Sequence, residues 1–437
     1  MNRRDFLKRT GYAGAIFSGL FGRRVFGAPD PNWRKQSPND KLNIGIIGTA
    51  NRASANIDGV KGENIVAVCD VDQNYLDAML KKFPKAESYR DFRKLLDRKD
   101  LDAVVVSTAD HCHAPASAKA LRLGMHVYCE KPLTHSVYEA RTVAKLALEN
   151  QRVTQMGTQI HAERNYRRVV ELVQSGAIGK VTEVHVWCGK GWADGRFIKE
   201  EKPVPANMDW DLWLGPAPQR SFQPGIHPAN WRKFWEYGGG TLGDMGCHYM
   251  DLPFWALKLR HPDAVEAEGP PVHAEGTPQD LTVHWSYPAR EEMPACTVSW
   301  YDGKSRPKVL SELKAKDPKE IKYDNGVLFI GDKGMMLADY GRHKLLPEEN
   351  FADFKAPPPT IPDSIGHYNE WIKAIKTGGT TTCNFDYSGA LSEAILLGNV
   401  AYRVGQKFTW DAKELKAVNC AKAEELIRRE YRKGWEL

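Results

Sequence analysis

Several features that define common protein classes are missing from this sequence. Its eight cysteines include no C-x-x-C pair, so their spacing favours neither a zinc site nor a disulfide framework. The net charge of +6 is spread along the chain without a basic helix, which argues against a nucleic-acid surface. No apolar run after the N-terminal segment is long enough to span a bilayer. The remaining composition, 42% hydrophobic and 27% charged over 437 residues, is typical of a globular protein of two or three domains.

The N-terminus carries the pattern of an export signal. Twin arginines, Arg3 and Arg4, precede F-L-K and a weakly apolar run over 11–22 that is too short for a membrane span. The pattern resembles a Tat signal, and a basic amphipathic arm is the alternative. We predict a Tat signal peptide over 1–28, a periplasmic or extracytoplasmic location and no stable membrane anchor. Because the Tat export machinery carries folded proteins, the cysteines can stay reduced and buried.

Strand and helix patterns alternate from residue 41 to about residue 160. The strands are short apolar runs without polar alternation, and helical patterns separate them, which is typical of βαβ units around a parallel sheet. We place these strands at 42–48, 64–70, 101–108, 126–130 and 152–157. The fold class is therefore α/β, with a Rossmann dinucleotide-binding domain over 41–160.

The pattern changes after Gln159, and we assign 161–437 to a second domain. A helix is predicted over 163–175 and two more over 365–376 and 388–403. Segments that alternate in polarity and turn like antiparallel strands lie at 180–189, 280–288, 295–303 and 326–341. The segment 190–240 is rich in loops and tryptophan.

A nucleotide-binding motif follows the first strand in degenerate form. The expected fingerprint is G-x-G-x-x-G, but from Gly48 the sequence reads G-T-A-N-R-A. Asp70 ends the second strand, where a carboxylate can accept hydrogen bonds from the adenosine ribose and repel a 2′-phosphate. These features favour NAD over NADP, although Arg52 could reach a phosphate. The alternatives are a doubly wound domain with another nucleotide or with none.

Polar side chains gather where the third strand ends. The motif S-T-A-D-H-C-H places Thr108, Asp110, His111 and His113 at the carboxyl edge of the sheet, where ligands bind in such folds. For the two histidines, a metal site and helix capping are alternative interpretations.

Lys131 is the sharpest catalytic candidate in the first domain. It lies in an E-K-P tripeptide with Glu130 and Pro132, directly after the fourth strand. A lysine held beside a nicotinamide and partly removed from water suits proton transfer from a hydroxyl. Taken alone, such a tripeptide more often forms a surface ion pair.

The stretch G-G-G-T-L-G-D-M-G-C-H, Gly238 to His248, places two polar residues four positions apart in an apolar helix start. Residues at i and i+4 share one helix face. We expect Asp244 to cap the helix from its first turn and His248 to point into a cleft beside the nicotinamide. The alternative is a capping aspartate and a core histidine without a catalytic role.

Together these motifs resemble the Gfo/Idh/MocA oxidoreductase family. The resemblance rests on the Gly48 loop and on VAVCDVD, STADHCHA, EKPLTHS, MGTQ, GKVTEVHVW, WEYGGGTLGDMGCHYMD and EWIKAIKTG. It implies tightly bound NAD(P), sugar or polyol substrates, and a C-terminal α/β domain whose large, mostly antiparallel open sheet often mediates assembly into dimers or tetramers. It also implies that His248 is the catalytic base and Asp244 an orienting or substrate-binding acid.

The motifs and the resemblance give one set of candidate residues, without a metal ligand. The catalytic candidates are Lys131, Asp244 and His248. Cofactor binding is expected from Gly48, Thr49, Asn51, Arg52, Asp70, Thr108, Asp110, His111, His113, Glu130, Lys131 and Gln159. Substrate binding is expected from Trp213, His227, Trp231, Arg232, Asp244 and His248, because aromatic faces stack on sugar rings. His367 and Glu370 are weaker candidates for the same cleft.

The predicted function is oxidation of a sugar, polyol or glycoside hydroxyl by an exported protein with tightly held NAD. Outside the cytoplasm there is no pool of free NAD(H), so the cofactor must be regenerated within one site. A second carbonyl compound can take the hydride, or the hydride can return to the same sugar, as in a redox-neutral glycosidase or lyase. A non-enzymatic sugar or nucleotide sensor is a further alternative.

Overall fold

The computed structural model describes residues 40–316 and 323–437. The predicted signal peptide over 1–28 lies outside the described residues. None of the described helices is both long enough and apolar enough to cross a membrane.

The first sheet is parallel and consists of β1 (Asn43–Ile47), β2 (Asn64–Cys69), β3 (Glu87–Tyr89), β4 (Ala103–Val106), β5 (His126–Cys129) and β6 (Thr154–Met156). The strand order is β3-β2-β1-β4-β5-β6. The helices of this domain are α1 (Ala53–Val60), α2 (Gln73–Lys82), α3 (Phe92–Leu95), α4 (His113–Arg122) and α5 (Val137–Glu149). Strands β4 and β5 are buried throughout, which explains their unbroken apolar runs. The order reverses between β1 and β4, and ligands bind at such a switch point.

The second sheet consists of β7 (Val181–Cys188), β8 (Ala264–Glu268), β9 (Thr282–Tyr287), β10 (Cys296–Asp302), β11 (Gly326–Gly331), β12 (Met335–Ala338), β13 (His343–Leu346), β14 (Phe408–Asp411) and β15 (Lys416–Ala417). Its order is β13-β12-β11-β7-β10-β9-β8-β14-β15. Neighbouring strands are antiparallel except for the parallel pair β7 and β10. The helices are α6 (Arg164–Gln174), α7 (Trp210–Leu214), α8 (Gly240–Tyr249), α9 (Asp251–Ala256), α10 (Lys308–Lys316), α11 (His367–Thr377), α12 (Phe385–Val404) and α13 (Glu424–Ile427).

Helix α12 joins the two sheets into one body. It packs against α5 on one side and against β8 and β9 on the other. Its buried Glu393 accepts hydrogen bonds from Arg141 on α5, at 2.7 Å from Nη2 and 3.0 Å from Nε. Apolar side chains from both sheets belong to one continuous core. The cleft between the sheets is therefore part of a packed structure and not a gap between loosely tethered domains.

The structure confirms the predicted α/β class, with its parallel and mostly antiparallel sheets. The short strands β3, β8, β13, β14 and β15 were not predicted, because two to five residues give too little pattern to recognise. Within the segment 326–341, β11 and β12 form an antiparallel hairpin, which confirms the predicted antiparallel turn. All eight cysteines are buried and none is in a disulfide.

Candidate functional site

The loop after β1 turns at Gly48. This residue has a φ of +84°, and a Cβ there would lie 2.6 Å from the carbonyl oxygen of Ser107. Its amide donates to the Cys69 carbonyl at 2.8 Å. Only glycine combines this φ with so close an approach. The loop therefore crosses the carboxyl ends of β1 and β4 tightly, even though the later glycines of the motif are absent.

Asp70 braces this loop from the end of β2. Its Oδ2 accepts hydrogen bonds from the amide and the hydroxyl of Thr49, at 2.8 and 2.9 Å. Its Oδ1 accepts one from the amide of Asp72 at 3.0 Å. Burial raises the pKa of Asp70 from its ordinary value, against the effect of these hydrogen bonds. The carboxylate has lone pairs left for a ligand hydroxyl, because a carboxylate can accept about four hydrogen bonds.

The start of α1 offers an anion site. Arg52 is the N-cap of α1, and its side chain makes no capping hydrogen bond. The backbone amides of Ala50, Asn51 and Arg52 donate to no other described residue. The Arg52 Nε instead donates to Glu130 Oε1 at 3.1 Å. Free amides and a guanidinium at a helix N-terminus suit the pyrophosphate of a dinucleotide.

A first cavity of about 220 Å³ opens beside this loop. The first domain lines it with Gly48, Asp70 and the loop over 107–112. The second domain lines it with Trp213, His227 and Trp231. Those three residues were predicted to bind the substrate, but the structure places them over the nucleotide loop, outside the cavity that holds Lys131 and His248.

The segment after α13 also reaches this first cavity. Trp435 lines it and packs against Phe92, with ring centroids 5.6 Å apart. The Arg93 guanidinium lies 4.2 Å from the Trp435 ring centre, and its Nη1 donates to the Gly434 carbonyl at 3.0 Å. Nothing in the sequence near Trp435 pointed to this position.

A second cavity of about 320 Å³ adjoins the first, since Arg52, Ser107, Thr108 and Arg232 line both. It brings together most of the predicted polar residues. Its further lining residues are Asp110, His113, Glu130, Lys131, Gln159, Lys190, Asp244, Met245, His248 and Tyr340.

A buried ion pair forms the centre of the second cavity. Lys131 Nζ donates to Asp244 Oδ1 at 2.6 Å and to the Asp244 carbonyl at 2.9 Å. Asp244 also accepts from Arg232 Nε at 3.1 Å. Burial opposes the charge of Asp244, but the cations of Lys131 and Arg232 outweigh it and hold the pKa of Asp244 well below its usual range. The carboxylate therefore stays ionised, and its two hydrogen bonds from Nζ fix the position of the Lys131 side chain.

The predicted capping role of Asp244 is wrong. Helix α8 begins at Gly240, which has a φ of +64°, and Gly239 is the N-cap without a side-chain capping bond. Asp244 therefore lies in the second turn, where its side chain reaches across the cavity to Lys131. The i, i+4 expectation holds, since Asp244 and His248 line the same cavity.

His248 is a buried, neutral imidazole. Burial and the nearby Lys131 hold its pKa well below the usual value. Its Nδ1 has no hydrogen-bond partner in the described part of the chain. The backbone around it is fixed, because the Tyr166 hydroxyl donates to the His248 carbonyl at 2.9 Å. A neutral imidazole that lines a cavity can accept a proton from a bound hydroxyl.

The loop before α4 is more deeply engaged in the fold than the sequence suggested. His111 Nε2 lies 2.9 Å from the Trp213 carbonyl, and burial lowers the pKa of His111 to about 3. His113 Nδ1 lies 2.8 Å from the Pro132 carbonyl. Asp110 lines the second cavity, and burial raises its pKa to about 8. Direct contact of these three side chains with a cofactor stays a prediction.

Lys190 and Tyr340 are among the cavity residues that were not predicted, and two weaker candidates lie elsewhere. Lys190 follows β7, a position at a strand end that could have drawn attention to it. Tyr340 follows β12 and stacks on Tyr249 with centroids 4.5 Å apart, and no sequence signal marked it. His367 and Glu370 line neither cavity. Within 40–316 and 323–437, no group of three or more His, Cys, Asp or Glu could hold a metal ion.

A doubly wound domain whose switch point opens into a cavity completed by a second α/β domain defines a dinucleotide-binding protein of two domains. Residues 42–158 match the model of the oxidoreductase family with an NAD-binding Rossmann fold, and residues 162–290 match its C-terminal alpha/beta domain. The chain belongs to the Gfo/Idh/MocA oxidoreductase family, and its first domain is an NAD-binding Rossmann domain.

Similar proteins cover parts of the chain or share only its fold. Inositol 2-dehydrogenase of Salmonella paratyphi B is 31% identical over 147 residues, 33% of this chain and 43% of that protein. A glycosyl hydrolase family 109 protein of Shewanella pealeana is 28% identical over 208 residues, 41% and 44% of the two chains. The solved structure of GenD2 from gentamicin A biosynthesis, in complex with NAD, has a TM-score of 0.58 and 18% identity and covers 86% of this chain and 98% of its own. The matched segments thus span less than half the length of the inositol dehydrogenase and of the glycosyl hydrolase.

Proposed function

We propose that this protein is an exported, NAD-dependent oxidoreductase that acts on a hydroxyl-bearing carbon of a sugar, polyol or glycoside. One observation carries the proposal: Lys131, Asp244 and His248 line one cavity that adjoins the Gly48 cavity. An amine from the first domain and an imidazole from the second thus meet beside the site that suits a dinucleotide. The inositol dehydrogenase relative supports the substrate class.

The residues present fit NAD. The free amides at 50–52 and the Arg52 guanidinium suit its pyrophosphate, and Asp70 suits the adenosine ribose and disfavours a 2′-phosphate. When bound, NAD supplies the acceptor for the hydride. His248 accepts the proton of the substrate hydroxyl, and the Lys131 ammonium stabilises the negative charge that develops on that oxygen. Asp244 orients the ammonium.

We infer further that the cofactor is retained between turnovers. Side chains of the second domain also line the first cavity, namely Trp213, His227 and Trp435. Their cover over the nucleotide loop favours slow release of the nucleotide. Retention suits a location outside the cytoplasm, where a second reaction must return the cofactor to its starting state. Either a second carbonyl compound takes the hydride, or the hydride returns to the same sugar after a neighbouring bond is cleaved. We favour the first scheme. The similarity to a glycosyl hydrolase supports the second scheme as the alternative.

Product analysis of the purified protein tests this proposal. The protein is denatured, its released nucleotide is identified, and a panel of sugars and glycosides is incubated with the native protein and analysed by mass spectrometry. We expect NAD and a keto product whose amount rises when a carbonyl acceptor is added. Release of an aglycone without net reduction of an acceptor would support the redox-neutral scheme. Bound nucleotide without any product would leave the sensor as the better account.

Location and assembly are tested separately. Replacement of Arg3 and Arg4 by lysines should keep the protein in the cytoplasmic fraction, because a Tat signal depends on the twin arginines. Normal export of that variant would contradict a Tat signal. We also propose a homodimer or homotetramer that forms through the exposed face of the second sheet. A monomer at all concentrations in size-exclusion chromatography with light scattering would contradict that assembly.

A further inference from the structure

The second cavity contains more positive than negative side chains. Arg52, Lys131, Lys190 and Arg232 line it, against the acids Asp110, Glu130 and Asp244. Glu130 is paired with Arg52, whose Nε lies 3.1 Å from Glu130 Oε1. Within the described residues the Asp110 side chain has no ion-pair or hydrogen-bond partner and is only 2% exposed. Burial raises its pKa to about 8. Asp110 therefore contributes little negative charge at neutral pH.

One carboxylate serves the three remaining cations. Asp244 accepts from Lys131 Nζ at 2.6 Å, Arg232 Nε at 3.1 Å and Trp192 Nε1 at 2.8 Å. Lys190 Nζ lies 4.0 Å from its Oδ2. A carboxylate has about four acceptor positions, so Asp244 has almost no capacity for further donors.

Donors of Arg232 and Lys190 are left over. Neither Nη of Arg232 donates to a residue in the described ranges, while its guanidinium lies 4.1 Å from the Trp231 ring centre. The stacking and the Nε bond hold the planar group with its outer edge available. The Lys190 side chain is 57% exposed, and the 4.0 Å approach to Asp244 is its only ion-pair contact within the described residues. A guanidinium edge beside an ammonium matches the two oxygens of a carboxylate.

We propose that the substrate is an acidic sugar whose carboxylate binds between Arg232 and Lys190 while its reacting hydroxyl faces Lys131 and His248. This inference rests on the proposed function and adds the substrate class to it. The cavity volume of about 320 Å³ is at the small end of ligand sites, which favours a monosaccharide unit such as a uronic acid. The dinucleotide pyrophosphate does not need these two cations, because it has Arg52 and the free amides at 50–52.

The test measures binding rather than turnover. The nucleotide-loaded protein is titrated with D-glucuronate, D-glucose and D-glucose 6-phosphate, and heat or tryptophan fluorescence is followed. We expect glucuronate to bind at least about tenfold more tightly than glucose, as one charged hydrogen-bonded contact provides. Equal binding of glucuronate and glucose, including no binding of either, would overturn the inference. Tighter binding of glucose 6-phosphate would overturn the assignment to a carboxylate.

Variants locate the contact. Lys190→Gln should lower the ratio of glucuronate to glucose affinity by about tenfold, while Lys416→Gln, an exposed lysine on β15, should leave that ratio unchanged. Arg232→Gln should lower the same ratio with the bound nucleotide retained. Loss of nucleotide from Arg232→Gln with an unchanged ratio would assign Arg232 to the cofactor and overturn the inference. Selective binding of glucuronate without any product would uphold it and remove the proposed oxidoreductase activity instead.

Discussion

Replacement of Lys131 by methionine tests the centre of the proposed site. Methionine keeps much of the length of the side chain and removes the ammonium that donates to Asp244 at 2.6 Å. Both side chains of this pair are less than one-tenth exposed, at 9% and 7%. The substitution therefore deletes one partner of a buried pair and leaves the space around it nearly filled.

The expected effects on stability and on rate differ in size. Deletion of one partner of a buried pair costs about 3–5 kcal/mol when the other charge is left alone. Asp244 keeps Arg232 at 3.1 Å and Trp192 at 2.8 Å, so we expect a loss of about 2 kcal/mol in the free energy of unfolding. Loss of one donor that stabilises a developing oxyanion costs about 10²–10³-fold in rate. Turnover should fall by that factor in a protein that remains folded and loaded with nucleotide.

The assay follows the absorbance of reduced nicotinamide in a single turnover with an identified substrate, beside urea unfolding and nucleotide content. Asp244→Asn and the double variant complete the comparison. If Asp244 acts through the ammonium, the double variant loses little more rate than Lys131→Met alone. A rate within about threefold of the unmodified protein, with nucleotide still bound, would refute the role of Lys131.

Three further predictions concern the stability of the first domain and the retention of the nucleotide. Gly48→Ala should lower the free energy of unfolding by about 1–3 kcal/mol and remove most of the bound nucleotide, because the residue has a φ of +84° and the added Cβ would lie 2.6 Å from the Ser107 carbonyl oxygen. The control Gly62→Ala should be nearly neutral in thermal unfolding, since nothing lies within 4 Å of its added Cβ. Burial lowers the pKa of His126 to about 3 in the folded protein, whereas the pKa of a histidine in the unfolded chain is about 6.5. Protonation below pH 6.5 therefore favours the unfolded chain, and the free energy of unfolding falls by about 2 kcal/mol at pH 5. His126→Asn should remove that part of the acid sensitivity in urea titrations at pH 7 and 5; an unchanged difference would contradict this. Trp435→Ala should speed exchange of bound nucleotide with labelled NAD by at least about tenfold, and unaltered exchange would contradict the retaining role of that side chain.

Local patterns predicted the frame of the nucleotide site. The apolar runs that form β1, β4 and β5 indicated burial on both faces of the sheet, and such a run can be recognised within each strand. Gly48 was found because its left-handed φ and its approach to β4 are set by the adjoining strand and turn.

Contacts between segments that are distant in the chain could not be predicted from local sequence patterns. Trp213 and Trp231 were expected to contact a sugar, but whether Trp213 faces a sugar or a nucleotide depends on how its segment crosses the first domain. The capping expectation for Asp244 failed for a related reason: three glycines let α8 begin at Gly240, earlier than the first polar residue suggested. Tyr340 and Trp435 reach their cavities from elements that no local motif marks.

The Arg93–Gly434 hydrogen bond joins positions 341 residues apart in the chain. A piece of protein limited to 41–160 would thus contain all the strands of the parallel sheet and still lack the aromatic side chain that lines one side of the first cavity. The first cavity gains this aromatic side only after residue 435 has been synthesised. A designer who transplants the first domain into another scaffold has to bring the distant aromatic wall with it.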